Sequence, residues 1–382
     1  MQKVYFDSAA TTKIRPEVVT KMVSVLNEDY GNPSSTHGFG RSAKNHIEQA
    51  RKNIANYLGV KASEIIFTSG GTEADNLAIN SAVRDLKVQH IITSKIEHHA
   101  VLHTVQEIET RFGINVSYVN IDKDGAIDYK HLESLLKTSN EKTLVSLMHV
   151  NNEVGTILDI QRVGNLCEKY ESLFHSDMVQ SIGHLEVNLN ELNIDFTAVS
   201  AHKFHGPKGV GFAYIRKNSG LKPLIFGGEQ ERGYRAGTEC VHNIAGMDEA
   251  LRLAYENIDV EKSYIIDLKH YFIDTLKQNI EGVKFNAKCC DHEHSTYTLI
   301  NICLPVSTEK AGILLFHLDI NGIACSKGSA CQSGSSKGSH VLTEILSEED
   351  LEKPSVRFSF SKYNTKEEVD YVVDVLKKFM ID

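Results

Sequence analysis

Short apolar runs alternate with helix-like segments along the first two thirds of the chain. From Lys61 onward, β-branched runs such as EIIFTS, HIITS, TLVSLMHV, SLFHSD and DFTAVS are separated by stretches with helical spacing of apolar residues, for example TEADNLAINSAVRDL. Strands that alternate with amphipathic helices predict an α/β domain with a mostly parallel sheet. A binding site is expected at the carboxyl ends of these strands.

The last third of the chain has a different pattern. Residues 243–281 have helical spacing, interrupted near YENIDV, and strand-like runs such as STYTLINICL and SVRFSFS follow before a final helix, KEEVDYVVDVLKKFM. This pattern predicts a smaller α+β domain. We expect a large domain over residues 15–255 and a small domain from 1–14 and 256–382, with a Gly- and Ser-rich loop at about 323–340.

Composition and charge exclude several function classes. The 382 residues are 41% hydrophobic and 24% charged, which is typical of a globular protein. A net charge of −9 without a long basic run argues against nucleic acid as a direct partner. With no apolar stretch of membrane-spanning length and no signal-like start, we expect a cytoplasmic protein whose seven cysteines are reduced.

The first polar cluster after a strand-like run is TSGGTE, residues 68–73. Thr72 followed by Asp75 has the spacing of a helix-capping box, and capping alone would explain the cluster. The same geometry presents backbone N–H groups and a positive helix end to an anion such as a phosphate. The cluster is neither a Walker loop nor the dinucleotide GxGxxG, so ATP and NAD are poorly supported.

Further polar residues at predicted strand ends each have two interpretations. Lys203 is either a solvated charge at a sheet edge or an amine that forms a Schiff base with a carbonyl. Asp177 either caps a helix or pairs with a pyridine nitrogen, with Gln180 in reach of the same ligand. His98 is either structural or lies over a planar cofactor, and Asn152 either makes a turn or binds a phenolic oxygen.

Lysine, aspartate, histidine and a glycine-rich phosphate turn are together the parts that pyridoxal phosphate requires. Ordered motifs along nearly the whole chain resemble the NifS/IscS-type cysteine desulfurases, group I, of the class V aminotransferase family with fold type I architecture. These motifs are YFDSAATT, GNPSSTHGFGR, TSGGTEADN, EHHAV, HVNNEVG, HSDMVQSIG, SAHKFHGPKG, GGEQERGYRAGT and GSACQS. The resemblance implies a pyridoxal phosphate enzyme with a seven-stranded large domain.

The resemblance implies a role for each matched residue. Lys203 would carry the cofactor, Asp177 would pair with its pyridine nitrogen, and His98 would stack on its ring and relay protons. Residues implied to contact the phenolic oxygen side are Gln180 and Asn152, and those implied to bind the phosphate are Gly71, Thr72, Ser200 and His202. Thr238 would reach the phosphate of the neighbouring subunit, which implies a homodimer. Arg357, with Asn152, would bind the substrate carboxylate through its planar fork.

Cys331 is the cysteine that would select the reaction. It lies among small polar residues, whereas Cys303 lies in the apolar run INICLP and is expected to be buried. The alternative is that Cys331 lies in this loop without a chemical role. The resemblance implies that Cys331 takes sulfur from L-cysteine as a persulfide, releases L-alanine and passes the sulfur to an acceptor such as an iron–sulfur scaffold or a tRNA-thiolation relay. Lys327 and Met178 depart from the usual family residues, and the first could alter partner docking.

Alternatives remain open at this point. A selenocysteine lyase or another class V enzyme is the second hypothesis, and a non-catalytic sulfur carrier is disfavoured because the key residues are retained. Cys325 is interpreted as a small residue at a strand end. The segment Cys289–His294 is interpreted as a solvated loop, since adjacent cysteines lack the usual zinc spacing. No resident metal is expected, although Cys331 could ligate an iron–sulfur cluster transiently.

Overall fold

The largest sheet has seven strands, and it confirms the predicted α/β class. The structure, a computed structural model, describes residues 2–327 and 338–381. In sheet order the strands are β2 (Ile65–Thr68), β8 (Gly211–Ile215), β7 (Phe196–Ser200), β6 (Leu173–Asp177), β5 (Thr143–Ser146), β3 (His90–Thr93) and β4 (Asn115–Tyr118). Strand β8 is antiparallel to both of its neighbours, and the other pairs are parallel.

Helices cover both faces of this sheet, so every strand except the edge strand β4 is buried along nearly its whole length. In β2, Ile65 and Phe67 pack into one hydrophobic cluster and Ile66 into another on the opposite face. The helices on the Ile66 face are α3 (Gly71–Leu86) and α4 (His99–Phe112). Those on the other face are α1 (Pro16–Glu28), α2 (Gly38–Tyr57), α5 (Tyr129–Thr138), α6 (Ile160–Lys169) and α7 (Val241–Glu256).

A separate hydrophobic cluster is built from the two ends of the chain. Strand β1 (Val4–Tyr5) pairs in parallel with β11 (Ile323–Ala324), and an antiparallel sheet has the order β12 (Ser355–Ser359), β10 (Leu299–Cys303), β9 (Lys284–Phe285). The helices that pack in this cluster are α8 (Ile258–Asn279), α9 (Thr308–Ile320) and α12 (Lys366–Ile381). Helix α10 (His340–Ile345) packs in a small separate cluster with Ile96 and Val154, and α11 (Glu348–Leu351) follows it.

The predicted α+β pattern of the last third is therefore present. The interruption near YENIDV falls at Asn257, where α7 ends and α8 begins. The apolar centre of this cluster contains Phe6, Phe272 and Phe358, so the N-terminal residues pack with the C-terminal part. The domain boundaries proposed from the sequence stay a prediction. In the part of the chain that the structure describes, no helix is both long and apolar enough to cross a membrane.

Candidate active site

A cavity of about 430 Å³ lies at the carboxyl ends of β2, β6 and β7. The expected site residues that line it are Gly71, Thr72, His98, Asn152, Asp177, Gln180, Ser200, His202, Lys203 and Arg357. Thr238 is exposed and does not line the cavity. Cys331 lies outside the described residues. The cavity thus collects residues that are up to 348 positions apart in the chain, from Ala9 to Arg357.

Lys203 places its amine inside this cavity. The residue ends a short helical turn, Ala201–Lys203, that follows β7 directly. Its Nζ donates hydrogen bonds to the backbone oxygens of Ala9 at 2.6 Å and Ala10 at 2.9 Å. Its own backbone oxygen accepts a hydrogen bond from His184 Nε2 at 2.9 Å. The position of this amine favours the cofactor interpretation over that of a solvated edge lysine.

Asp177 is the last residue of β6, and its carboxyl group faces the cavity. Its Oδ1 accepts a hydrogen bond from the backbone N–H of Val179 at 2.9 Å. Burial raises the pKa of Asp177, and the Val179 hydrogen bond and the positive charge of Lys203 only partly oppose this. A buried acid of this kind can hold a proton next to a basic ring nitrogen.

Asp75 is a second buried acid in the cavity, and here the capping alternative for residues 68–73 does not hold. Helix α3 begins at Gly71 with Gly70 as its N-cap, so Thr72 and Asp75 do not form a capping box. Asp75 Oδ1 lies 3.3 Å from His175 Nε2, and His175 Nδ1 lies 2.9 Å from Ser146 Oγ. Burial, together with the neighbouring carboxylates of Asp177 and Glu97, raises the pKa of Asp75.

The start of α3 forms a cradle for an anion. A Cβ on Gly71 would lie 2.6 Å from Val179 Cγ2, so the backbone approaches its neighbour more closely than a side chain allows. The first N–H groups of the helix have no intrahelical acceptor and point outward. Hydroxyl groups of Thr72 and Ser200 line the same end of the cavity.

Two histidines of the cavity are held neutral. Burial and the charge of Lys203 lower the pKa of His98 and of His202 to about 4 in each case. His98 Nδ1 accepts a hydrogen bond from the N–H of Ala100 at 3.1 Å, which assigns the ring proton to Nε2. His202 Nδ1 lies 3.1 Å from Thr11 Oγ1. Neutral imidazoles can both stack on a ring and donate one hydrogen bond each.

Arg357 is a buried guanidinium at the cavity wall. It lies in β12, is 1% exposed, and donates from Nη1 to the Asn152 backbone oxygen at 2.7 Å and from Nη2 to Asp7 Oδ1 at 2.9 Å. Ser326 Oγ donates to the same Asp7 oxygen at 2.8 Å. The Nε of Arg357 is buried and has no hydrogen-bond partner among the described residues, so an added carboxylate could accept from it.

Asn151 and Asn152 have different surroundings. Asn151 Oδ1 accepts from the N–H groups of Glu153 and Val154 and so makes the turn, whereas Asn152 lines the cavity. Gln180 Nε2 donates to the Ala9 backbone oxygen at 2.9 Å. The turn interpretation therefore holds for Asn151, and contact of Asn152 with a phenolic oxygen stays a prediction.

Sequence reasoning missed several residues of the site. The carbonyl groups of Ala9 and Ala10 carry no side-chain signal, and Asp7 was given no role. Asp75 did leave a signal, because it shares the buried face of α3 with Ala78 and Ala82, where a carboxylate is unusual.

The residues present fit pyridoxal phosphate. An amine, a buried acid and a helix N-terminus where Gly71 has no room for a Cβ lie on one cavity, and these are the groups needed for the aldehyde, the ring nitrogen and the phosphate. The unpaired Arg357 Nε would serve the carboxylate of an amino acid beside it.

Comparison with known proteins gives a consistent result. The family profile described as "Aminotransferase class-V" matches residues 4–372. A cysteine desulfurase IscS from Dictyoglomus turgidum is 43% identical over 381 residues, covering 99% of this chain and 95% of the relative. A putative cysteine desulfurase IscS 1 from Bacillus subtilis is 43% identical over 386 residues, covering 99% and 100%. A solved NifS-like protein superposes with a TM-score of 0.89 at 36% identity, covering 99% of both chains.

Proposed function

Because this chain belongs to the class-V aminotransferase family, and within it to the cysteine desulfurases, we propose that it converts L-cysteine into L-alanine with pyridoxal phosphate as cofactor. The sulfur would remain as a persulfide on Cys331. The observation that carries this proposal is the single cavity that brings together the amine of Lys203, the buried acid of Asp177 and the guanidinium of Arg357.

Four groups of residues would hold the cofactor. Lys203 would bond to its aldehyde carbon, Asp177 would face its ring nitrogen, and His98 would lie against its ring. The N-terminus of α3, with the hydroxyl of Ser200, would bind the phosphate. When bound, pyridoxal phosphate supplies an electron-accepting ring that stabilises negative charge on the α-carbon of an amino acid.

Arg357 would position the substrate. Its Nη1 and Nη2 are already held by Asn152 and Asp7, so the guanidinium is oriented before the substrate arrives. A carboxylate would then accept from the remaining Nε–H, and Asn152 lies at the same wall. This fixed orientation reduces the entropy that binding costs.

Lys203 would move the protons. Its amine can accept a proton from the substrate α-carbon, because the carbonyl oxygens of Ala9 and Ala10 are within hydrogen-bond distance and stabilise the ammonium that forms. The neutral His98 would donate its Nε2 proton to a leaving or entering group and recover it afterwards. Both residues act within the same cavity.

Cys331 would supply the nucleophile. Its thiolate attacks the sulfur of the bound cysteine, the C–S bond breaks, and a proton replaces sulfur on the carbon to give alanine, so that atoms and electrons balance. The backbone of Ser326 pairs with that of Arg357 in both directions. Because five residues span at most about 18 Å, chain length permits the thiol to approach this wall of the cavity.

The partners are part of the proposal. Thr238 would contact the phosphate of the neighbouring site in a homodimer, in keeping with its exposure in one chain. An acceptor protein, such as an iron–sulfur scaffold, would take the persulfide sulfur. The protein would work in the cytoplasm.

The test is a product balance with the purified holoenzyme. L-Cysteine should give one alanine per sulfur, and alkylation with peptide mapping should place the persulfide on Cys331. Cys331→Ser should keep the yellow cofactor and lose the persulfide, and Lys203→Ala should lose the cofactor link that borohydride reduction otherwise fixes. Normal sulfide release by Cys331→Ser would overturn the assignment.

Substrate choice requires a separate measurement. Alanine yields from L-cysteine, selenocysteine and cysteine sulfinate should be compared at equal concentrations with the same holoenzyme. We expect L-cysteine to be used with a persulfide on Cys331. Turnover of selenocysteine alone would favour the selenocysteine lyase hypothesis and contradict ours.

A further inference from the structure

Helix α10 packs on two turns that carry residues of the active-site cavity. The first turn, residues 94–98, ends with His98, and the second, residues 151–155, contains Asn152. Both of these side chains line the cavity. The apolar residues that the helix and the two turns contribute to one small hydrophobic cluster are Ile96, Val154, Val341, Leu342 and Ile345. The helix therefore packs directly against both turns.

His340 is the first residue of α10, and each of its ring nitrogens faces one of these turns. Its Nε2 lies 2.9 Å from the backbone oxygen of Glu97. Its Nδ1 lies 4.0 Å from Oε1 of Glu153, which is ion-pair distance. In the chain, Glu97 comes directly before His98, and Glu153 comes directly after Asn152. The imidazole thus connects the neighbours of two cavity residues.

The two facing atoms of His340 and Glu153 each lack a hydrogen bond. Glu153 is fully buried, and neither its Oε1 nor Nδ1 of His340, which is also buried, has a hydrogen-bond partner among the described residues. Because a backbone oxygen only accepts, Nε2 of His340 carries a ring proton toward Glu97. A second ring proton, on Nδ1, would be donated to Oε1 and would satisfy both atoms.

Glu153 has further contacts that extend to the substrate wall of the cavity. Its Oε2 accepts a hydrogen bond from Oγ of Ser339, the N-cap of α10, and its backbone oxygen accepts from Nδ2 of Asn301 at 3.0 Å. The backbone oxygen of Asn152, next to it, accepts from Nη1 of Arg357 at 2.7 Å. A displacement of Glu153 would therefore be passed on to the guanidinium of Arg357.

We propose that His340 is a positioning residue of the active site, which together with Glu153 keeps the turns of His98 and Asn152 at a fixed spacing. The inference rests on the proposed function, in which His98 lies against the cofactor ring and Asn152 orients the group that binds the substrate. The turns also contact each other directly, since Asn151 Nδ2 donates to the backbone oxygen of Ile96 at 2.9 Å. The imidazole adds a second bridge, at the residues adjacent to the cavity.

Metal binding is the weaker interpretation of the histidines around α10. The ring centroid of His99 lies 4.3 Å from that of His340 and 4.8 Å from that of His103. In the described part of the chain, however, no three His, Cys, Asp or Glu side chains are arranged to hold a metal ion. The same applies to the segment Cys289–His294, which is not a solvated loop throughout, as predicted, because Cys289 is fully buried.

Three substitutions of His340 separate the bridge from simple packing. His340→Phe keeps an aromatic ring but has no nitrogen, so it loses both contacts. His340→Asn can place its amide at the position of Nδ1 and keep the contact with Glu153, whereas His340→Gln can place its amide at the position of Nε2 and keep the contact with Glu97. The control is Glu344→Gln, which removes only the exposed ion pair of α10 with Lys95.

The first measurement is amide hydrogen exchange of the full-length protein without added cofactor. We expect His340→Phe to speed exchange in both turns at least about tenfold, because local opening becomes easier when both contacts are lost. The Asn variant should speed exchange only in residues 94–98, the Gln variant only in residues 151–155, and the control in neither turn.

A residue that only filled space would give the opposite order of effects. The Phe variant would then exchange like the wild type, and the smaller Asn side chain would loosen both turns. Either result would overturn the proposal. If the Phe variant does not fold, the Asn and Gln variants still decide, because each should loosen a different turn, and equal effects of the two on both turns would also overturn it.

The second measurement uses the holoenzyme with L-cysteine. His340→Phe should keep the cofactor absorbance and raise KM at least about threefold through the displaced Asn152 and Arg357, with smaller increases in the Asn and Gln variants. An unchanged KM in a holoenzyme that converts L-cysteine would overturn the positioning role. A wild type that neither binds pyridoxal phosphate nor converts L-cysteine would overturn the proposed function, and the exchange rates would still decide whether the bridge exists.

Discussion

At the scale of single residues, buried acids are concentrated in the cavity, which Asp75 and Asp177 line, and beside it, where Glu97 lies. Asp75, Asp177 and Glu97 all have raised pKa values because of burial, and Asp75 is raised further by the other two. Lys203 is the cation that acts on Asp177. In such a group, at least one acid is best accommodated in its neutral form.

Asp75→Asn should change how the stability of the apoprotein depends on pH. Because the folded state raises the carboxyl pKa above its unfolded value near 4, the folded state binds more protons, and stability falls as pH rises through that window. The Asn variant has no carboxyl group to titrate. Between pH 5 and pH 8 its free energy of unfolding should therefore rise relative to that of the wild type, by about 1.4 kcal/mol for each unit by which the pKa of Asp75 is raised. Urea unfolding of both proteins at both pH values measures this difference. An equal change in the unfolding free energy of the two proteins would contradict the prediction.

Arg357→Lys should weaken substrate binding with little effect on the cofactor. A lysine cannot reproduce the two N–H contacts to Asn152 and Asp7 together with the proposed contact from Nε to the substrate, and a lost charge-assisted hydrogen bond costs about 1.5–3 kcal/mol. We expect KM for L-cysteine to rise about ten- to hundredfold. Asp7→Asn, which only loosens the guanidinium, should have a smaller effect in the same direction. A KM equal to that of the wild type would exclude Arg357 from substrate binding.

At the scale of elements, the site depends on the residues at the carboxyl end of each strand. Lys203 comes just after β7, Asp177 ends β6, and Gly70 and Gly71 connect β2 with α3. Parallel strands bring these ends to one edge of the sheet, so residues far apart in the chain share one cavity. The order of the strands, more than any single motif, assembles the chemistry.

Gly71→Ala should test the cradle at the start of α3. Its Cβ would lie 2.6 Å from Val179 Cγ2, so one of the two segments has to move. We expect pyridoxal phosphate to bind at least about tenfold more weakly, which corresponds to about 1.4 kcal/mol. Gly312→Ala, where a Cβ meets no atom within 4 Å, is the matched control and should bind normally. Unchanged affinity of the Gly71 variant would argue against this cradle.

The sequence predicted strands and strand-end polar groups well because both depend on local patterns. The runs EIIFTS, HIITS and DFTAVS contain β2, β3 and β7, and the polar residues after them line the cavity. It failed for Asp75, whose local spacing is that of a cap while its burial depends on distant strands. It also missed the carbonyls of Ala9 and Ala10, since backbone acceptors leave no trace in residue identity.

At the scale of the whole molecule, the first residues connect the two main hydrophobic cores. Phe6 is fully buried against Phe272, Phe358 and Phe360 of the C-terminal part. A few residues further on, the Ala9 carbonyl accepts from Lys203 at the end of β7. The same short segment therefore packs one core and completes the cavity at the edge of the other.

Phe6→Ala should destabilise the protein strongly. Truncating a fully buried phenylalanine costs about 3–5 kcal/mol through lost burial and the cavity that remains. Phe6→Leu fills most of that space and should lose much less. Urea unfolding of both variants gives the values, and a loss below about 1 kcal/mol for the alanine variant would contradict the close packing of these aromatic rings.

This arrangement has a consequence for how the protein is made. Strand β1 pairs with residues 323–324, and Asp7 binds Arg357, so the partners of this segment are synthesised more than 300 residues after it. A nascent chain that already contains Lys203 still lacks the wall built by Arg357. Binding of the proposed cofactor in the finished cavity therefore requires that residue 357 has been synthesised, and chains that stop before it cannot complete the cavity.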